Sequence, residues 1–262
     1  MSERDELIES TDQLIAARDL SLSFKRGEPI LNGLRFDIAR GEFVSILGPS
    51  GCGKSTLLRL IAGLLRPSGG RITLAGEAPE EARRSRERIG IVFQDPVLLP
   101  WRSVERNIRL PDELSTNNTE PDIASLLRLV GLKPEDAHKR PSELSGGMRM
   151  RVSLARALVT QPTLFLLDEP FAALDDILRQ QLNEELLRIR EARQCTTVFV
   201  THNVAEAVFL SQRILVLSTS PATIAADIRV PFDYPRRRDL RGESQFAQLV
   251  QSVSEQLRGA AS

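Results

Sequence analysis

Hydrophobic positions change their spacing along this chain, and each spacing predicts a different element. From Ala17 to Glu42 they alternate: Leu20, Leu22 and Phe24, then Leu34, Phe36 and Ile38. A period of two puts every second side chain on one face, so this stretch predicts strands with one wet face. The segment RITLAG (71–76) is expected to join them. Later runs are nearly continuous in apolar residues: FVSIL (43–47), IGIVF (89–93), LFLL (164–167), TTVFV (196–200) and RILVL (213–217). Such runs suit strands buried on both faces, as in a parallel sheet covered by helices.

Helical patterns lie between the runs, over Lys54 to Leu65 and Asp176 to Arg193. Alternating strands and helices predict an α/β domain. The alternation lapses from about Ser103 to Val159, which reads as a helical insertion interrupted by the loop-like STNNTEP (115–121). A strand-like ATIAADIRV (222–230) follows. Then comes a helix from Glu243 to Leu257, with Phe246, Leu249, Val250, Val253 and Leu257 on one face. The expected organisation is a lead-in over 1–16, a main domain over 17–220 with its helical part at about 96–159, and a C-terminal extension over 221–262. No internal repeat or low-complexity tract is seen.

Composition narrows the function classes. At 262 residues and 41% hydrophobic content the chain is globular. Lys plus Arg equals Asp plus Glu, 35 each, which argues against a nucleic-acid binder relying on bulk charge. One basic run, PRRRDLR (235–241), is expected to be a solvated surface turn. Cys52 and Cys195 are the only cysteines, so no disulfide framework is expected and a reducing compartment fits. The N-terminus lacks the apolar core of a signal peptide, and no stretch approaches the length of about eighteen apolar residues that spans a bilayer. A cytosolic protein is expected, unless a partner holds it at a membrane.

Two segments carry chemistry, the second by its company with the first. GPSGCGKST comprises Gly48, Pro49, Ser50, Gly51, Cys52, Gly53, Lys54, Ser55 and Thr56. It fits the phosphate-binding loop in full and lies between a buried strand and a helix, as that motif requires. Glycines let backbone N–H groups wrap a polyphosphate, and the helix N-terminus adds a favourable dipole. Lys54 would reach the β- and γ-phosphates, and the Ser55 hydroxyl would ligate Mg²⁺. Cys52 reads as a small residue tolerated beside the phosphates. LFLLDEP (164–170) ends an apolar strand in two carboxylates. Asp168 would hold Mg²⁺ through water, and Glu169 would polarise an attacking water as general base.

With four further motifs the chain resembles an ATP-binding-cassette (ABC) ATPase from about Ala17 to Leu217. Gln94, in IVFQD, matches the glutamine that senses Mg²⁺ and the γ-phosphate. LSGGM (144–148) matches the family signature, AALD (172–175) the loop that crosses the dimer interface, and His202, in FVTHN, the switch histidine. Phe24 matches the aromatic that stacks on adenine, although its place in an alternating strand equally suits a core residue. The resemblance implies a phosphate-loop (RecA-like) core with an antiparallel β subdomain and an inserted α-helical subdomain. It implies ATP and Mg²⁺ as cofactors.

It also implies a second copy packed head to tail. Ser145, Gly146 and Gly147 of each copy would then meet the other's γ-phosphate, with Asp175 on the crossing loop. The glycines ahead of RMRVSLARALV would serve close approach, at the cost of poor helix propensity.

A cassette without a membrane span implies separate permease subunits, served indirectly by a solute-binding protein, at the cytoplasmic side of the membrane. LLPW, LSGGMR with Met148 in place of the commoner glutamine, DEPFAALD and THNVAEAVFLSQRILVLS look most like the nitrate/sulfonate/taurine importer group. No appended regulatory domain is expected. Leu98, Leu99 and Trp101 would line a groove for a short helix of the permease, or else belong to the core. Three other readings stay open: an importer subunit for another small solute, a soluble cassette ATPase outside transport, and a phosphate-loop phosphotransferase.

Overall fold

The computed structural model describes residues 13–23, 27–85, 87–114 and 120–261. In chain order, strands β1 (Gln13–Ser23), β2 (Pro29–Ala39) and β3 (Phe43–Leu47) lead to helix α1 (Lys54–Ile61). Strand β4 (Gly69–Leu74), helix α2 (Pro79–Ser85) and strand β5 (Ile89–Val92) follow. Helices α3 (Val104–Glu113), α4 (Ile123–Leu129) and α5 (Gly146–Leu158) come next, with no strand between them among the described residues. After them the alternation resumes: β6 (Leu164–Asp168), α6 (Asp176–Arg193), β7 (Thr196–Val200), α7 (Val204–Leu210) and β8 (Arg213–Leu217). Strand β9 (Ile224–Arg229) and helix α8 (Ser244–Ala260) complete the order.

The strands form two sheets. The alternating segments pair antiparallel in the order β2-β1-β4, and the apolar runs build a six-stranded sheet in the order β5-β6-β7-β3-β8-β9. Neighbours from β5 to β8 are parallel, and β9 closes one edge antiparallel. Strands β3, β6 and β7 are buried at every position, as continuous apolar runs demand. IGIVF behaves differently. Its strand stops at Val92, only alternate residues are buried, and Phe93 stands exposed, because β5 is an outer strand of the sheet.

Strand β1 reaches back to Gln13, into the segment expected to be a lead-in. Leu14 and Ile15 are both buried there, beside a register shift that breaks the alternation a period of two would show. The 1–12 part of that lead-in, Phe24 and most of STNNTEP lie outside the described residues.

The large sheet separates two apolar clusters. On one side Phe43, Phe199 and Phe171 pack in series with tilted rings, centroids 6.2 and 5.9 Å apart, under helices α3 to α8. On the other side Val44 and Ile46 pack with Leu57 and Leu58 of α1 and with Leu20, Leu34 and Ile38 of the antiparallel sheet. The helical insertion thus shares its core with the sheet.

The basic run is not a solvated turn. Arg237 and Arg238 are exposed, but Arg236 is 6% exposed. Its Nη1 donates to the carbonyls of Val208, Phe209 and Ser211 at 3.0, 3.0 and 2.9 Å, and its Nη2 to Phe232 O at 2.6 Å. The C-terminal carbonyls of α7 need partners, and a guanidinium can serve several at once. Arg241 lies 3.6 Å over the Phe209 ring, and Phe246 and Val253 of α8 are buried. These contacts fasten the C-terminal segment to the cassette core.

Arg236→Ala leaves several buried carbonyls without donors, so it is expected to destabilise the protein by about 2–4 kcal/mol. Denaturant unfolding with the midpoint compared to wild type checks this. Arg236→Lys should recover only part of the loss, because a single ammonium cannot reach both sets of carbonyls.

Candidate nucleotide site

Parallel pairing brings the ends of four strands together. Val92 lies beside Leu167, Asp168 beside Val200, and Ile46 beside Val200. Residues just beyond β5, β6, β7 and β3 therefore share one edge, and the carboxyl ends of strands are where open α/β sheets hold ligands.

The glycine-rich loop leaves β3 and enters α1 through Gly53, whose φ of +107° suits only glycine. A Cβ at Gly53 would also lie 2.9 Å from Ile30 Cγ2 and from Leu31 Cδ2. Lys54, 5% exposed, folds along this loop. Its Nζ donates to the Gly48 and Pro49 carbonyls at 2.9 Å each and lies 3.6 Å from Glu169 Oε1. Ser50 and Gly51 are exposed at the turn, and Thr56 continues α1. Cys52 is buried, and burial pushes its thiol above the usual range, which fits a packing residue better than a reactive thiolate.

At the end of β6, Asp168 Oδ1 accepts from Ser55 Oγ at 2.8 Å. Burial pushes the Asp168 carboxyl up; the Ser55 hydrogen bond pulls it down, and the neighbouring Glu169 carboxylate pushes it up further. Glu169 has φ of +44°, a left-handed conformation for a residue that rarely takes it. Its N–H donates to Val200 O at 3.0 Å, so the chain turns off the sheet at this residue. Glu169 Oε2 then lies 2.9 Å from His202 Nδ1. Gln94 stands exposed past the end of β5, on the same edge. Lys54, Ser55, Asp168, Glu169 and His202 are thus brought together, and Phe24 lies outside the described residues.

The signature is presented elsewhere. Ser145 caps α5, its Oγ accepting from Met148 N at 3.3 Å, and Ser145 and Gly146 are exposed. Gly147 is buried for a reason inside its own chain: a Cβ there would lie 2.6 Å from Leu178 Cδ2 on α6. Asp175 caps α6, accepting from Leu178 N at 3.0 Å. The helix that starts at the signature and the helix that follows AALD therefore touch at their N-termini. Among the described residues, no hydrogen bond or ion pair joins 145–147 to the 48–56 loop of the same chain.

The apolar cluster after Gln94 divides. Trp101 is 69% exposed and Val97 60% exposed. Leu98 packs against the core, and the Leu99 backbone is held by the buried Asn107 amide, at 2.7 Å to its N and 3.1 Å to its O. Arg156 of α5 donates to Pro96 O and Val97 O at 2.6 and 2.8 Å. The exposed face is accordingly Val97 and Trp101, without Leu98. Asn107 and Arg156 carry no motif signal; they read in sequence as ordinary helix positions.

A glycine-rich loop with its lysine, and two carboxylates closing a buried strand beside it, define a phosphate-loop protein built to bind and cleave nucleoside triphosphates. The family model described as ABC transporter matches residues 31–172, and the chain belongs to that family as an ATP-binding ATPase. It is 42% identical over 226 residues to a nitrate import ATP-binding protein of Synechococcus elongatus, covering 84% of this chain and 81% of that one. It is 43% identical over 247 residues to a taurine import ATP-binding protein of Rhizobium johnstonii, covering 88% and 92%. Among solved structures, a dimeric ATP-binding cassette in a post-hydrolysis state with ADP and Pi matches with a TM-score of 0.73 and 28% identity. That match covers 84% of this chain and all (100%) of the other. No helix among the described residues is long and apolar enough to cross a membrane.

Gly53→Ala would force a side chain into a left-handed conformation against Ile30 and Leu31. ATP affinity is expected to fall at least about tenfold, since strain of this kind costs on the order of 1–3 kcal/mol. Titration with a fluorescent ATP analogue measures it.

Proposed function

We propose that this chain is the ATP-hydrolysing subunit of an importer for a small anion of the nitrate, sulfonate or taurine type, working at the cytoplasmic face of the membrane. The convergence of Lys54, Ser55, Asp168, Glu169 and His202 on one sheet edge carries the reading. The curated relatives, named for nitrate and taurine import, support the solute class.

Lys54 already lies along the loop that would wrap the polyphosphate, and its ammonium, now on the Gly48 and Pro49 carbonyls, would pair with the β- and γ-phosphates. Ser55, Asp168 and Gln94 would hold Mg²⁺. Their hydroxyl, carboxylate and amide oxygens are the donors that ion takes, and the buried Asp168 carboxyl favours a cation beside it. Bound there, Mg²⁺ would supply charge neutralisation at the phosphates. Glu169 is the base that polarises water, oriented by His202, which in turn reads the γ-phosphate.

Two copies pair head to tail. The exposed Ser145 hydroxyl and the free N–H groups of Gly146 and Gly147 at the start of α5 then meet the other copy's γ-phosphate. AALD with Asp175 lies across the same interface. Separate permease subunits dock on the Val97–Trp101 face, and a solute-binding protein delivers the anion to them.

Glu169→Gln is expected to bind MgATP while losing hydrolysis by about a hundredfold or more, and to accumulate a dimer on ATP addition. Turnover without any acceptor, followed by phosphate release and size-exclusion chromatography, decides it. Near-normal turnover removes Glu169 from the role, and a requirement for an acceptor would mark a phosphotransferase.

Trp101→Ala is expected to leave the fold and ATP binding intact yet weaken assembly with the permease by about 2 kcal/mol or more, as a buried aromatic anchor does when truncated. Thermal stability, ATP affinity and recovery of the complex are measured on the same variant. Unchanged recovery sinks the docking face.

A further inference from the structure

The AALD loop and the switch histidine are joined inside one chain by side chains that no motif marks. On the loop side stands Arg179 of α6. Its Nη2 donates to Leu174 O at 2.7 Å and its Nε to Phe171 O at 3.4 Å, while its Nη1 pairs with Asp176 Oδ1 at 2.9 Å. The guanidinium therefore grips the backbone on both sides of residues 172 and 173. On the histidine side stands Glu206 of α7, 5% exposed. Its Oε2 accepts from Thr201 Oγ1 at 2.6 Å, and its own N–H donates to Asn203 Oδ1 at 3.1 Å. Thr201 Oγ1 also accepts from Asn203 N at 3.0 Å. The residues before and after His202 are thus both tied to Glu206.

The two sides meet at a single ion pair, Arg179 Nε to Glu206 Oε1, 3.8 Å apart. That carboxylate oxygen is buried and makes no hydrogen bond, although the Asn183 amide also faces the group. A buried carboxylate oxygen without a donor is costly, and shortening this contact by about an ångström would supply one. A shift of the 172–175 loop that moves Arg179 would therefore be felt at the turn carrying His202, whose Nδ1 lies 2.9 Å from Glu169 Oε2.

We propose that Arg179 and Glu206 are positioning residues that transmit the set of the 172–175 loop to His202. Contact of a second copy with that loop would in this way adjust the histidine and the base beside it in the same chain. The inference rests on the proposed roles of that loop and of His202, and its test separates the two.

His138 and His202 are the only histidines in the chain, so imidazole ¹⁵N NMR in a His138→Gln background reads His202 alone. In the full chain, Arg179→Gln is expected to shift the His202 ring signals. It should also lower kcat for ATP by about tenfold, with KM changed by less than about twofold. Arg179→Lys keeps the cation but loses the fork, so it should restore only part of both. Glu206→Gln, close to the wild-type shape, should reproduce both changes, and it carries the test alone if Arg179→Gln does not fold. Unmoved ring signals despite lost turnover would show that Arg179 acts on its loop only and would overturn the inference, as would unchanged kcat. His202→Ala tests the underlying reading separately: full turnover in that variant removes His202 from hydrolysis whatever its ring signals do in the others.

Discussion

Two adjacent carboxylates at the end of a strand buried on both faces are tolerable only if cations and donors face them. Asp168 and Glu169 impose that condition here, because an uncompensated charge in such a layer is expensive. The structure meets it with a buried ammonium 3.6 Å from one carboxylate and a hydroxyl 2.8 Å from the other. Both come from the first turn of α1, so α1 must begin where β3 ends, beside β6. The parallel register that places Ile46 and Asp168 on either side of Val200 follows from the same demand. The left-handed Glu169 then takes its carboxylate off the strand and toward His202.

Helix N-termini do the remaining work. The helices α1, α5 and α6 each begin next to a functional segment, with Gly53, Ser145 and Asp175 at their caps. A helix start offers unpaired N–H groups and a positive dipole end. These starts place positive dipole ends beside the functional segments without a basic surface, which accords with a net charge of zero. The contact of Gly147 with Leu178 sets two of these starts side by side, so the spacing between them is fixed by packing.

Much of this was legible in the sequence where a residue type has one physical use. A glycine-rich loop between a buried strand and a helix, carboxylates after an apolar run, and alternating against continuous hydrophobicity all pointed to elements the structure contains. Asp176 to Arg193 was read to the residue, and the structure bounds it with a capping Asp175 and a left-handed Gln194. What escaped depends on tertiary neighbours. Arg236 looked like one of several solvated arginines until the carbonyls at the end of α7 surrounded it. IGIVF had the composition of a central strand, but its position at the sheet edge was set by the order of pairing. Leu98 and Trp101 lie close together in sequence on opposite sides of a surface, and only the Asn107 and Arg156 clamps decide which faces out. Gly147 illustrates a subtler limit: the signature explained the glycine by a ligand, whereas the fold supplies a packing reason as well.

Trp101 is the sole tryptophan of the chain, and it stands in solvent at the end of the loop that leaves the nucleotide edge. The protein therefore carries its own optical probe at the most exposed aromatic position among the described residues. With no second indole to dilute the signal, the emission colour and quenching of the whole molecule report the surroundings of this one ring. Any body that settles over the Val97–Trp101 face would move that emission toward the blue and shield it from aqueous quenchers, giving a label-free spectroscopic record of docking.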